Sequence, residues 1–472
     1  MAVRVLSTRT VRPPPPETPC SPRLRIIPLA SWDVAMLSCN YIQKGLLFSP
    51  PPPSMSSTAA LVQHLAAALS ETLADYYPVA GRFVTDKHHD SSVGCSVSID
   101  CARQGVEVIH AVADGVSMAD VIPPDADVPP VVESFFPLNG AVCHDGHELP
   151  LFAAQITELA HDGTVFLGFA CNHALADGAA FWDFLNAWAQ ISRSGSPPPS
   201  SRRRPLLDRW SPSAAKPIVL PCGDVADLID RSPPPGPPLR SRMLRFSADT
   251  LAALKNRART ELLASGDAAG AEALTRFQAL SSLMWRCITR ARNNHTLPPE
   301  TETKSTTTCR AAINNRGRLH PPLPPEYFGN CIDAVSTDSV SSSDLLLLGH
   351  GWAAAAVGRS VAAHTDEDIR ARVAAWVESP VVYTARWYDP RGTFMGSSPR
   401  FDMYGCDFGW GKPAAVRSGK ANKVDGRVSL YPGREGGMDA EVSLTPEHMA
   451  ALELDHEFWA AVLPEPGGKA KA

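Results

Sequence analysis

The sequence predicts a mixed α/β protein built as two halves of similar size. Its 472 residues, 44% of them hydrophobic, are enough for two or three domains. Strand-like and helical patterns occur in both halves, and a polar, proline-rich stretch that cannot bury much apolar surface separates them. We therefore expect one domain over residues 1–191, a linker over 192–238 and a second domain over 239–472, with part of 380–415 packing on the first domain.

In the first half, apolar residues from Val3 onward and the prolines from Pro13 predict an opening strand, although the Arg/Ser/Thr content also resembles a transit peptide. A leucine stripe beginning at Leu61 predicts a helix that ends before Pro78. Strands are predicted over residues 93–99 and 106–111, and a hairpin over 149–159 and 164–171.

The second half begins with a predicted strand over residues 243–246 that leads into a helix with Ser247 as its N-cap. Apolar spacing of the helical kind follows over residues 273–292, 345–357 and 367–377. Residues 428–432 and 440–444 predict a late hairpin around a glycine-rich turn.

The composition excludes several classes of function. A net charge of −5 and a pI near 6.3 leave no basic surface for nucleic acid or anionic lipid. No apolar run is long enough to span a membrane. The 11 cysteines are scattered without a C-x-x-C pair, and His144 and His147 lie in a polar turn, so we expect no metal site. Unpaired cysteines favour a reducing, cytoplasmic location.

The main candidate for chemistry is His173, which lies between the apolar run 165–171 and a helical pattern beginning near residue 179. A histidine at the end of a buried strand can be held rigidly and still face a cavity, as a general base requires. It could also be a core histidine bonded to backbone. Asp177 could orient the imidazole, cap the helix or pair with a core arginine, and we favour the two structural roles.

A second motif consists of Asp407, Phe408, Gly409, Trp410 and Gly411. Two glycines around a tryptophan indicate a tight backbone path with a large anchor, so packing is the simpler interpretation. The sequence has no phosphate-binding loop, no nucleophile elbow and no dinucleotide-binding motif.

Together these residues resemble the plant BAHD acyltransferase family. His173 to Asp177 matches its H-x-x-x-D motif, and Asp407 to Gly411 matches its D-F-G-W-G motif. The resemblance covers nearly the whole chain. Further similar segments lie at residues 31–45, 73–82, 277–286, 315–324 and 327–331.

The resemblance implies two chloramphenicol-acetyltransferase-like domains, each a mixed sheet with flanking helices, joined by a long crossover loop around a central channel. Acyl-CoA would enter from one face as co-substrate, and a small alcohol or amine acceptor from the other. It also implies no permanently bound cofactor and a monomer.

The resemblance further implies roles for residues. His173 would be the base, and Asp177, beside Gly178, would turn away from it and pair with an arginine, for which Arg316 and Arg318 are the candidates. The loop from Asp407 to Gly411 would shape the protein and the CoA entrance without reacting.

One departure concerns the acceptor. Residues 396–401 replace a tryptophan-containing stretch found in many family members that transfer hydroxycinnamoyl groups. Ser398 stands near the missing tryptophan, and Arg400 lies close by. We therefore expect a more polar acceptor pocket, with an anionic acceptor paired with Arg400.

Other functions remain compatible with these motifs. The same histidine could run proton-transfer chemistry of the elimination type without CoA, and a condensation domain fed by a carrier protein has a similar motif in which histidine replaces Asn172. A non-catalytic small-molecule binder is the remaining alternative. Protection by CoA against thermal unfolding separates the first of these from acyl transfer.

Overall fold

The structure is a computed structural model, and it describes residues 3–15, 26–53, 57–88, 94–124, 126–195, 204–212, 217–232, 236–296, 305–384 and 389–462. Two six-stranded sheets dominate, one formed mainly by the first half and one by the second. Helices accompany both, so the predicted mixed α/β class is confirmed. Within these ranges, no helix has the length and hydropathy needed to cross a membrane.

The first half alternates short and long elements. Its strands are β1 (Val3–Val11), β2 (Ile26–Pro28), β3 (Ile42–Phe48), β4 (Arg82–His88), β5 (Gly94–Asp100), β6 (Val106–Ala113), β7 (Phe152–Leu159) and β8 (Thr164–Cys171). Its helices are α1 (Ser31–Val34), α2 (Thr58–Asp75), α3 (Met118–Val121) and α4 (Gly178–Ser194). The opening strand and the hairpin of β7 with β8 are confirmed.

The second half is richer in helix. Its strands are β9 (Arg240–Phe246), β10 (Thr306–Thr307), β11 (Cys309–Asn314), β12 (Ile332–Ser336), β13 (Val340–Ser341), β14 (Thr393–Gly396), β15 (Ala415–Ser418), β16 (Arg427–Pro432) and β17 (Met438–Leu444). Its helices are α5 (Ala248–Ala264), α6 (Ala268–Ala273), α7 (Arg276–Thr296), α8 (Ser342–Leu347), α9 (Gly349–Ala362), α10 (Asp366–Glu378), α11 (Pro446–Glu453) and α12 (His456–Val462).

The first sheet has the order β1-β6-β7-β8-β3-β15, and the second has the order β12-β11-β14-β16-β17-β9. β15 therefore comes from the second half but completes the first sheet, where Val416 pairs with Leu46 in antiparallel register. All eight residues of β8 are buried, as expected for a strand covered on both faces. Two small sheets, β2-β5-β4 and β10-β13, complete the described pairing.

Local chemistry explains where several helices begin. Ser57 caps α2 by accepting from the Ala60 amide, and Ser247 caps α5 by accepting from the Thr250 amide. Residues 345–357 are helical as predicted except at Leu348, but they belong to two helices, because α8 ends at Leu347 and α9 begins at Gly349, which has a φ of 92°. A residue in the left-handed region interrupts the helix, and only glycine adopts this conformation at little cost.

The first-half core extends into the C-terminal part of the chain. Phe408 and Tyr431 belong to the same buried cluster as Phe169 and Trp188. A separate core gathers α7, α9 and the second sheet around Trp285. The chain thus returns to the first half after β14, and β15 then anchors it there.

Candidate active site

His173 lies in the turn between β8 and α4, and hydrogen bonds hold its backbone on both sides. The His173 amide donates to Cys143 Sγ at 3.1 Å, and the His173 carbonyl accepts from Asn330 Nδ2 at 2.7 Å. Asn172 is fully buried and donates through Nδ2 to the Cys143 carbonyl at 2.8 Å. The backbone of the turn is therefore hydrogen-bonded to residues of both halves of the protein.

The imidazole of His173 is in a setting that favours its neutral form. The residue is partly exposed, whereas its Nδ1 is sealed from solvent. Burial lowers the pKa of His173; its own carbonyl and the charge of Asp177 oppose this effect, and the charge of Arg427 adds to it. A neutral imidazole near pH 7 can accept a proton.

Asp177 is fully buried and does not hydrogen-bond to His173. Its Oδ1 accepts from the Ala179 and Ala180 amides, both at 3.0 Å, and so caps α4. Its two oxygens also accept from Arg316, at 2.7 Å from Nη1 and 3.0 Å from Nη2. The structure therefore gives Asp177 both structural roles at once.

Arg316 connects this turn to the second half, and Arg318 does not. Besides Asp177, Arg316 Nη2 donates to the carbonyls of Tyr327 and Gly329 at 3.1 and 3.0 Å. Arg318 donates instead to the His364 carbonyl at 2.7 Å. The expectation that Arg318 could pair with Asp177 is corrected, since the chain turns after Asn315 and the two arginines point to different partners.

Gly178 begins α4 at a point where a side chain would press on the ring of Phe401. A Cβ placed there would lie 2.9 Å from the ring of Phe401, which is tighter than ordinary packing allows. Phe401 itself packs against the first-half core. Glycine at this position lets the segment before the D-F-G-W-G loop approach the histidine turn.

The loop from Asp407 to Gly411 is held by hydrogen bonds between the Asp407 side chain and the loop's own amides, and by contacts with α4. Asp407 Oδ1 accepts from the Gly409 and Gly411 amides at 2.9 and 3.0 Å, and both glycines have positive φ, at 116° and 109°. Phe408 is fully buried, and its ring centroid lies 5.2 Å from that of Trp188. The Phe408 carbonyl accepts from the Ser192 hydroxyl at 2.8 Å. These contacts are structural, and no described hydrogen bond joins the loop to His173.

Ser398 and Arg400 lie in a turn after β14. Ser398 Oγ accepts from the Arg400 amide at 3.2 Å, and the Arg400 side chain is exposed. The cation whose charge acts on His173 is Arg427 of β16. Sequence analysis missed Arg427 because its position follows from the pairing of β16 with β14. This pairing puts the Arg427 side chain next to Gly396. Asn330 had a signal, since it lies within the segment 327–331.

A basic pocket of about 320 Å³ lies beside β15 and the first turn of α5. Its polar lining residues are Arg245, Ser247, Thr250, Tyr404, Arg417, Tyr431, Arg434 and Asp439. Arg417 is 7% exposed and donates only to backbone carbonyls in the described chain, those of Val121 and Val416. Burial raises the pKa of Asp439 to about 6 in spite of the three arginines. The pocket therefore carries an excess of positive charge.

Strand β16 connects this pocket to the surroundings of His173. Tyr431 lines the pocket, whereas Arg427, four residues earlier, acts on the histidine. At the rise of an extended strand the two positions are about 13 Å apart.

The described residues offer no metal site, since no group of three or more His, Cys, Asp or Glu side chains is arranged to hold an ion. His144 and His147 have ring centroids 4.7 Å apart, and His147 is bonded to Thr85 and to the His144 carbonyl. This pair is part of the packing of a short 3₁₀ turn over Cys143–His147.

The chain is similar to known proteins over most of its length. A sequence model described as the Transferase family matches residues 1–459. An uncharacterized acetyltransferase of Arabidopsis thaliana is 34% identical, over 92% of this chain and 94% of that protein. The BAHD acyltransferase DCR of the same plant is 31% identical, over 97% and 92%. The crystal structure of F. graminearum TRI101 with coenzyme A and T-2 mycotoxin is similar in fold, with a TM-score of 0.70 at 17% identity, over 92% and 98%.

Proposed function

Because the chain belongs to the BAHD acyltransferase family, we propose that it transfers an acyl group from acyl-CoA to a hydroxyl or amine of a plant specialised metabolite, with His173 as the general base. The observation that carries the assignment is the setting of His173: a partly exposed imidazole, kept neutral by burial, on a turn fastened to both halves. Rigid placement and a neutral form are the two requirements for a base near pH 7.

In the proposed mechanism, Nε2 of His173 removes the proton from the acceptor oxygen or nitrogen as that atom attacks the thioester carbonyl carbon. Nδ1 is sealed, so Nε2 is the nitrogen available to substrate. The tetrahedral oxyanion then collapses, the carbon–sulfur bond breaks, and the imidazolium returns its proton to the departing CoA sulfur. Holding donor and acceptor together supplies part of the rate enhancement.

The proposal does not involve a covalent acyl-enzyme. The thiol that contacts the His173 backbone is that of Cys143, whose Sγ accepts from the His173 amide. Burial raises the pKa of Cys143 well above the usual range, so this thiol remains protonated and is a poor nucleophile. Direct transfer from thioester to acceptor is therefore the simpler route.

We assign the basic pocket to the phosphate groups of the donor. Arg245, Arg417 and Arg434 supply charge, and the first turn of α5 supplies the positive end of a 17-residue helix. From there the pantetheine arm would follow β16 toward His173. Arg427, whose charge acts on the histidine, would favour an acyl group or acceptor that carries negative charge at that end.

The test of the base is His173→Ala, assayed by release of free CoA thiol across a matrix of acyl-CoAs and plant alcohols and amines. We expect kcat to fall by at least about 10²- to 10⁴-fold, with acyl-CoA affinity by calorimetry nearly unchanged. His161→Ala, in the exposed turn between β7 and β8, is the matched control and should keep full activity. Undiminished turnover in His173→Ala would refute the assigned base.

The donor site has its own test. Arg434→Ala removes an exposed arginine that lines the pocket, so we expect KM for acyl-CoA to rise with little change in kcat. Arg359→Ala, an exposed arginine of α9, should leave both constants unchanged. Product formed without thiol release, or no stabilisation of the fold by CoA, would favour chemistry that does not use CoA.

A further inference from the structure

Cys95 and Cys222 lie together where the segment between the two halves crosses β5. Their Sγ atoms are 3.3 Å apart, although 127 positions separate them in the sequence. The Cys95 and Cys222 amides both donate to the carbonyl oxygen of Leu220, at 3.1 and 2.9 Å. The two backbones therefore converge on one atom, and their amide nitrogens cannot be farther apart than the sum of those distances.

We propose that Cys95 and Cys222 form a reversible disulfide that ties residues 217–232 to β5, and that the oxidant is a small disulfide of the glutathione type. A disulfide needs its sulfur atoms about 2.05 Å apart and its Cα atoms within about 7 Å. The shared acceptor holds the two main chains close together, and the sulfur atoms, already 3.3 Å apart, are brought to bonding distance by a small rotation of the side chains.

The two thiols differ in a way that orders the chemistry. Cys222 is partly exposed, whereas Cys95 is fully buried. Cys222, as thiolate, attacks one sulfur of the small disulfide, whose S–S bond breaks to release one thiolate. Cys95 then attacks the Cys222 sulfur of the mixed disulfide and releases the second small thiol, and the Cys95 proton passes to solvent or to the leaving thiolate. Two protein thiols are oxidised and one small disulfide is reduced to two thiols.

The barrier to the second step falls when the first is complete. Burial, followed by the neighbouring Cys222 thiol, raises the pKa of Cys95 to about 12, whereas the charge of Lys87 opposes the rise. The mixed disulfide replaces the Cys222 thiol, so one cause of the high pKa disappears at the moment when Cys95 must lose its proton.

The disulfide would add a covalent link to the packing and hydrogen bonds that already hold this segment against β5. Leu220 and Val225 are the fully buried anchors of this segment, and Leu220 and Cys95 exchange both main-chain hydrogen bonds. The ion pair between Lys87 and Asp224 is 3.6 Å long and about half exposed, so it contributes little. A covalent link closing so long a loop restricts the unfolded chain and should raise thermal stability.

The test equilibrates the full chain in glutathione buffers of increasing potential, alkylates the remaining thiols and maps peptides without reduction. We expect the oxidised protein to lose about 2 Da, with one linked pair containing Cys95 and Cys222, and to unfold at a higher temperature than the reduced protein. Reduction should reverse each change.

Two variants and a control complete the design. Cys222→Ser changes a partly exposed side chain and should abolish the linked pair and the thermal shift, and Cys95→Ser should do the same if it folds. Cys39→Ser, at another partly exposed cysteine, should leave both signals intact. The proposal would be overturned if, after treatment in the most oxidising buffer and unfolding, the Cys95 and Cys222 thiols could both still be alkylated. A mixture of disulfide pairs that includes Cys39 would also overturn it.

Discussion

The ionisation of His173 sets the pH range in which the proposed reaction can run. As a base it must be neutral, and burial places its pKa below the ordinary value of 6.5. We therefore expect kcat/KM to fall only as the pH drops through a pKa below 6.5, and to be level above it. Arg427→Gln removes a charge that lowers this pKa, so the acid limb should move to higher pH. A pH–rate profile of both proteins checks this, and a limb that moves down in the variant would contradict it.

Asp177 offers a second prediction, because its carboxylate serves the cap of α4 and the ion pair with Arg316 together. Asp177→Asn keeps a good cap but leaves the guanidinium of Arg316, which is 5% exposed, without its counter-charge. We expect the free energy of unfolding to fall by about 3–5 kcal/mol, as for other buried pairs broken on one side. Asp177→Ala should cost about 1 kcal/mol more through loss of the cap.

Chemical denaturation measures both Asp177 variants. Activity assayed well below the unfolding transition distinguishes a structural carboxylate from one that takes part in the chemistry. If Asp177→Asn kept full stability but lost turnover, the carboxylate would act on the imidazole instead of on the fold.

Among the elements, β8 is the strand that positions the histidine turn, and Gly168 lies at its most crowded point. Gly168 pairs with Gly45 on β3 and with Gln155 on β7. A Cβ at Gly168 would overlap the carbonyl oxygen of Phe135, and this main-chain atom can move aside only if the backbone shifts. Ordinary overpacking of a core costs about 1–3 kcal/mol. We expect Gly168→Ala to lower the free energy of unfolding by more than this.

Thermal unfolding and soluble yield check the Gly168→Ala variant. Gly317→Ala is the matched control, since a Cβ there meets nothing within 4 Å. Equal melting temperatures for the two variants would show that the turn containing Phe135 can yield.

Elements with local signals were predictable from the sequence. Ser247 is a cap that its own neighbours satisfy, and the leucine stripe of α2 needs no distant partner to be recognised. β15 is different: four residues of no special pattern become a strand only because β3 offers a free edge. The same reason hides Arg427, whose electrostatic effect on His173 depends on strand order and not on spacing in the sequence.

At the scale of the whole molecule, one buried polar network joins the two sheets. Glu441 of β17 is 2% exposed and accepts from Ser418 of β15, from Tyr431 at 2.9 Å and from Lys423 at 2.6 Å. Lys44 of β3 donates to Tyr431 at 2.8 Å. The network therefore binds β3 and β15 of the first sheet to β16 and β17 of the second. Among the five residues just named, Glu441 alone has a carboxylate.

The carboxylate of Glu441 makes the join between the sheets sensitive to acid. Its lysine partners and hydrogen bonds overcome burial and lower its pKa from 4.5 to about 2. Stability from this group is therefore full above about pH 4.5 and is lost as the pH falls toward 2. Glu441→Gln should reduce the free energy of unfolding by on the order of 3 kcal/mol near pH 7, and its difference from the native protein should shrink below pH 4.5. Denaturant titrations across this range measure the effect, with the exposed Glu148→Gln as control. A difference independent of pH would mean that Glu441 contributes packing alone and that its charge does not hold the sheets together.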